Sequence, residues 1–164
     1  AAAVAQSPVL SRQTSLHFLD CGLGDQGLSA LADSDTLTGI ERLVLQGAPG
    51  SRAPGDAGAR ALAAASAFHR LERIEIMNAR ITDQGVRALA DSAALADLEI
   101  IILKGAPITA DAARAFINRS GLPQLEKVRL ETKRALTDSD TLDQLKRAAA
   151  DTGFELYMTG MEEE

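Results

Sequence analysis

One stretch of this chain recurs along most of its length. Leu71-Glu72-Arg73-Ile74-Glu75-Ile76 is followed by Ile81-Thr82-Asp83-Gln84-Gly85-Val86-Arg87-Ala88-Leu89-Ala90, and 27 residues further on Leu98, Ile101, Leu103, Ile108, Ala113 and Phe116 occupy the corresponding places. A further 27 residues bring Leu125, Val128 and Leu130. In the other direction, Ile40, Leu43 and Leu45 open an earlier unit, and Leu16 and Phe18 one earlier still. The step from Leu43 to Ile74 is 31 residues, and the extra four fall in Pro49–Gly55, where glycine and proline make an insertion loop inexpensive. Five units in register demand a repeat architecture.

Within a unit the period changes. An apolar anchor and an alternating pair (Leu71, Ile74, Ile76) predict a short strand, and Val86, Leu89 and Ala90 lie at the spacing of one helix face. Asp25, Asp56 and Asp83 each stand two residues before Gly27, Gly58 and Gly85; with Thr82 they are expected to cap helix N-termini, the glycines allowing close backbone approach. Helices are expected to end near Ser34, Ser66 and Ser92, with Leu37, Phe68 and Leu95 closing each unit beneath the next strand. No strand, turn and helix of this size bury their own apolar face, so neighbours must stack into one continuous core. Strands would pair in parallel at about 4.8 Å while the thicker helices fan out behind them. The predicted fold is therefore α/β: a curved solenoid of about five strand-bearing repeats, strands concave and helices convex.

The pattern Leu-x-x-Leu-x-Leu resembles the leucine-rich repeat family, and Ile81–Val86 is similar to its ribonuclease-inhibitor-like, cysteine-containing subclass. The resemblance covers nearly the whole chain and is specific for fold, not function. The family usually carries Asn or Cys at the turn after the strand, hydrogen-bonding along a ladder. Here that column reads Cys21, Ala48, Ala79, Ala106 and Lys133, so the ladder should be mostly absent, the turns slightly irregular, and their polar groups in need of other partners.

The 164 residues are expected to form one domain. Residues 1–14 align with the helix of a partial repeat whose strand is absent (Val4 with Leu31, Ser7 with Ser34, Leu10 with Leu37), 15–136 hold the repeats, 137–160 a C-terminal cap, and 161–164 a solvated acidic tail. In the cap, Thr137 and Asp138 keep the capping position and Thr141–Ala150 forms a polar helix. Phe154–Met158 then makes a final strand with Phe154, Leu156 and Met158 inward. The chain has no initiator Met and is expected to begin after some cleavage, inside a repeat. The edge beneath Leu16 and Phe18 would then be only partly covered: either this segment is a makeshift cap, or an upstream part or a partner covers the edge, since exposed strand edges invite pairing.

Seventeen basic against twenty-three acidic side chains give a net charge of −6, which argues against nucleic acid or anionic lipid as partners. The sole cysteine, Cys21, makes no internal disulfide. With no basic leader and no apolar run of roughly 20 residues, an intracellular setting without membrane insertion is expected, in the cytoplasm or an organelle.

Residues between the strand anchors should face out of the concave side: His17, Leu19 and Asp20; Val44 and Gln46; Glu75, Met77 and Asn78; Ile102 and Lys104; Arg129 and Glu131; and Tyr157. Leu19, Val44, Met77 and Ile102 read as an exposed apolar diagonal rimmed by charge, which suits a protein partner better than catalysis, although strand faces also tolerate short aliphatics. Glu41, Glu72, Glu99 and Glu126 form a column beside basic residues, a solvated ladder that spreads carboxylates too far apart for a metal. His69 adjoins Phe68 in a connection. His17, Asp20 and Cys21 lack the further His or Cys that zinc requires, and His17 and Cys21 should point to different sides. Gly47–Gly58 has no phosphate-loop spacing, and Arg60, Arg87 and Arg114 supply one cation per repeat among Ala and acids. No catalytic, metal or cofactor residue is assigned. The expected function is non-enzymatic binding of another protein on the concave face, with the chain a monomer or a subunit of a hetero-complex. The alternative is an accessory subunit of a large assembly, organellar or other, contacting neighbours through the open N-terminal edge.

Overall fold

The computed structural model describes residues 2–47, 53–132 and 139–160. Six parallel strands form one open sheet in simple chain order: β1 (Ser15–Leu19), β2 (Arg42–Gln46), β3 (Arg73–Met77), β4 (Ile100–Ala106), β5 (Lys127–Thr132) and β6 (Glu155–Thr159). Helices α2 (Asp25–Ala32), α3 (Asp56–Ala63), α4 (Asp83–Ala90), α5 (Ala110–Ile117) and α6 (Ser139–Asp151) join successive strands. Leu16, Leu43, Ile74, Ile101, Val128 and Leu156 stand side by side across the sheet, and so do Phe18, Leu45, Ile76, Leu103, Leu130 and Met158. These two inner rows, with Leu28, Leu31, Leu62, Val86, Leu89 and Phe116 from the helices, make one continuous aliphatic core. The cap strand joins in the same register, burying Phe154, Leu156 and Met158 as the alternation requires.

Asp25, Asp56 and Asp83 do not cap their own helices. Each is the first helical residue, and the caps are Gly24, Gly55, Thr82 and Thr109. Their carboxylates reach across to the next coil instead. Asp25 Oδ1 accepts from Gly55 N–H (2.6 Å) and Gly58 N–H (2.9 Å). Asp56 accepts from Thr82 N–H (2.7 Å), Thr82 Oγ1 (2.8 Å) and Gly85 N–H (3.1 Å). Asp83 accepts from Thr109 N–H and Oγ1, both at 2.8 Å. A negative side chain thus satisfies helix-start donors of its neighbour, where the helix dipole also favours it. The glycines make this approach possible. A Cβ on Gly58 would lie 2.8 Å from Asp25 Oδ1, and one on Gly85 2.5 Å from Asp56 Oδ1. Where the fourth coil carries Ala112, its N–H pairs with the Thr109 carbonyl instead.

A second inter-coil bond ties the helix ends. Ser34 Oγ donates to the Ala5 carbonyl and Ser92 Oγ to that of Ala63. The α3 helix ends at Ala63, and Ser66 opens a short 3₁₀ turn running to Phe68.

The turn after the strand is irregular, as expected, and its polar groups take backbone partners. Backbone pairing continues one residue past the strands (Asp20 N–H to Gln46 O, Gly47 N–H to Met77 O, Asn78 N–H to Lys104 O), so the main chain supplies partners there. The equivalent residues Asp20, Asn78 and Gly105 take left-handed φ values of 52°, 58° and 63°. Gly105 has no counterpart in β5, where the pairing passes directly from Glu131 to Thr132, so Ala106 faces Thr132. Thr132, with its hydroxyl 2.6 Å from the Ile108 carbonyl, therefore holds the place expected for Lys133. Lys133 and Ala48 of that column lie outside the described residues, as do the capping pair Thr137–Asp138 and the tail 161–164.

The N-terminal segment is not one helix. A single turn, α1 (Ala2–Ala5), packs beside α2, and Pro8–Arg12 is a 3₁₀ segment. Pro8 lacks an N–H and disfavours helical backbone at Ser7, which is extended (φ −79°, ψ 114°).

Candidate functional site

Strand residues that do not face the core form three outward rows across the concave sheet. The first is Ser15, Arg42, Arg73, Ile100, Lys127 and Glu155; the middle is His17, Val44, Glu75, Ile102, Arg129 and Tyr157; the last is Leu19, Gln46, Met77, Lys104, Glu131 and Thr159. The expected residues therefore do share one face, but two of them sit at its margin. Asp20 and Asn78 occupy left-handed turn positions, and Asn78 Nδ2 is engaged by the Gly47 carbonyl at 3.0 Å.

The exposed apolar diagonal does not exist. Leu19 and Met77 lie in the last row, Val44 and Ile102 in the middle one, with Glu75 between these two. Val44 is only 5% and Ile102 8% exposed; Met77 is half-buried and Leu19 is 57% exposed. Strand alternation decides the face a side chain takes, not whether longer neighbours lean over it. Here they do. Arg42 and Arg73 both reach Glu75, at 2.6 and 2.9 Å, and Lys104 and Arg129 both reach Glu131, at 3.2 and 2.8 Å. Lys127 meets Glu155 at 3.3 Å and lies over the Tyr157 ring.

Burial alone would raise the Glu75 carboxyl, but hydrogen bonds and charge from Arg73 and Arg42 outweigh it and hold the group below its ordinary value. Tyr157 donates to Glu155; this bond raises the phenol and, together with the one from Lys127, lowers the carboxyl. Along the last row a shallow groove of about 480 Å³ opens between Gln46, Met77, Asn78, Lys104, Glu131 and Thr159.

His17 and Cys21 are both exposed, and His69 faces the Ser66 carbonyl across 3.1 Å. Among the described residues, no three or more His, Cys, Asp or Glu side chains converge as a metal site would need. Nor is any helix there long and apolar enough to cross a membrane.

Sequence reasoning missed the shared-carboxylate clusters. Their signal was present, because Arg42, Arg73 and Glu75, like Lys104, Arg129 and Glu131, become neighbours once the strand columns are laid in register. Residues 14–32, spanning β1 and all of α2, match the family described as leucine-rich repeat. No curated protein matches the chain. With that match in the first coil and the same strand-and-helix unit stacked in parallel behind it, the chain has the architecture of a leucine-rich-repeat solenoid.

Proposed function

We propose that this chain is a non-catalytic module that binds a partner protein on its concave strand face. Leucine-rich-repeat domains typically bind other proteins. The observation that carries the assignment of the face is the groove beside Met77, where a half-buried thioether adjoins an open channel rimmed by Gln46, Lys104 and Glu131. An apolar anchor within a polar rim is the usual anatomy of a protein contact.

The test is substitution of the anchor. Met77→Asp should abolish capture of the partner from cells that make the protein, while its melting temperature stays within a few degrees of wild type. Arg87→Asp on a helix should leave capture intact. Binding that survives Met77→Asp removes the concave-face reading. Ile102 is unsuitable for the same purpose, because a carboxylate in that buried place would cost stability as well.

A specific observation also favours the second reading, in which the chain is an accessory subunit joined through its N-terminal edge. Among the described residues no strand pairs with the outer edge of β1, and Val9, 75% exposed, and Leu19 lie on that side. Under this reading the isolated chain elutes with a concentration-dependent mass on size exclusion. A constant monomer mass argues for the first.

A further inference from the structure

Charge on the strands runs against the charge of the whole molecule. The six strands carry five cations (Arg42, Arg73, Lys104, Lys127, Arg129) and three carboxylates (Glu75, Glu131, Glu155), a balance of 5 − 3 = +2 in a chain of net −6. The excess is localised. Glu75 is shared by Arg42 and Arg73, and Glu131 by Lys104 and Arg129, so each cluster holds two cations to one carboxylate. Arg42 and Arg129 are each about half exposed, leaving guanidinium donors open to solvent.

The clusters centre on residues two strands and two residues apart (Glu75 on β3, Glu131 on β5). Two strand spacings and two residue rises put them about 12 Å from each other. An extended chain covers that distance in about four residues, and residues four apart then share a face. Between the clusters lie Met77 and the lightly exposed Ile102. We infer that the concave face binds an acidic, extended protein segment carrying two carboxylates four residues apart with an apolar side chain midway between them. This rests on the concave face being the binding surface and adds the chemistry of its partner. A nucleic acid fits less well, because Tyr157 and His17, at opposite ends of the middle row, are the only aromatic rings on the outward rows of the strands, and the net-negative remainder of the molecule repels a long polyanion.

The test uses the full chain and a labelled, end-blocked ten-residue peptide with Glu at positions 4 and 8 and Leu at 6, followed by fluorescence anisotropy. The expected result is binding that weakens from low to moderate salt and falls roughly tenfold with Gln at both peptide positions. A similar loss should follow Arg42→Gln with Arg129→Gln, two exposed sites whose folding is checked by melting. No binding of the Glu peptide overturns the inference, and so does equal binding of the Gln peptide. If the Gln peptide binds equally and Met77→Asp abolishes it, the acidic preference falls while the concave reading stands. If the Glu peptide binds but neither Met77→Asp nor the double variant weakens it, both fall. Displacement of the peptide by an excess of single-stranded oligouridylate, at a lower concentration than unlabelled peptide needs, overturns the protein class of partner.

Discussion

Gly85 shows how one atom governs a contact between coils. Its missing Cβ leaves room for Asp56 Oδ1, with Ile81 Cγ2 and Ala59 Cβ at 2.8 and 3.1 Å from where a methyl would sit. Alanine would gain up to about 1 kcal/mol of helix propensity, yet it displaces the carboxylate and breaks its bond to the Gly85 N–H. Gly85→Ala is therefore expected to destabilise by about 1–2 kcal/mol. In an Asp56→Ala background the carboxylate and its bond are gone and only the Ile81 and Ala59 contacts remain, so part of that cost should vanish; a double-mutant cycle in urea measures it. Equal costs in both backgrounds would sink the account. The interaction was only half legible in the sequence. Asp-x-Gly recurs at Asp25, Asp56 and Asp83, but capping preference is a local rule and assigns each aspartate to its own helix. The true acceptor role needs the next coil alongside.

Strands were the most legible elements, because an apolar side chain at every second position fixes both the face and the register. Leu45 illustrates the energetic weight of an inner row: it is 2% exposed and flanked in register by Phe18 and Ile76. Leu45→Ala should cost about 2–5 kcal/mol through the cavity it leaves, read as a lower urea midpoint with unchanged slope. A loss below about 0.5 kcal/mol would mean that the rows do not form one packed core. Helix starts and turns were less legible. β5 skips the residue that pairs with Gly105, which moves Thr132 into the position the repeat count gave to Lys133, and no periodicity announces a skipped residue. Pro8 did announce the break that splits the N-terminal segment, but alignment with a helix outweighed it.

At the scale of the molecule, the same regularity that builds the core arranges the concave face. Side chains in register meet across columns, on diagonals and along one strand: Arg42 reaches Glu75 diagonally across the β2–β3 pair, and Arg73 reaches it along β3. Which residues face outward was readable; their exposure was not, since it depends on how far neighbouring guanidinium and ammonium groups extend.

The aspartate contacts also have a direction, every one running from a coil to its successor. The coils are consequently not interchangeable parts. A duplicate of the Asp56-to-Gly85 junction could be spliced in between the second and third coils with every tongue finding its groove. The same insert behind α5 would meet Ala110 where an aspartate should be, and would start unlatched. Growth of this array by duplication is thus favoured in its early half and hindered in its later one.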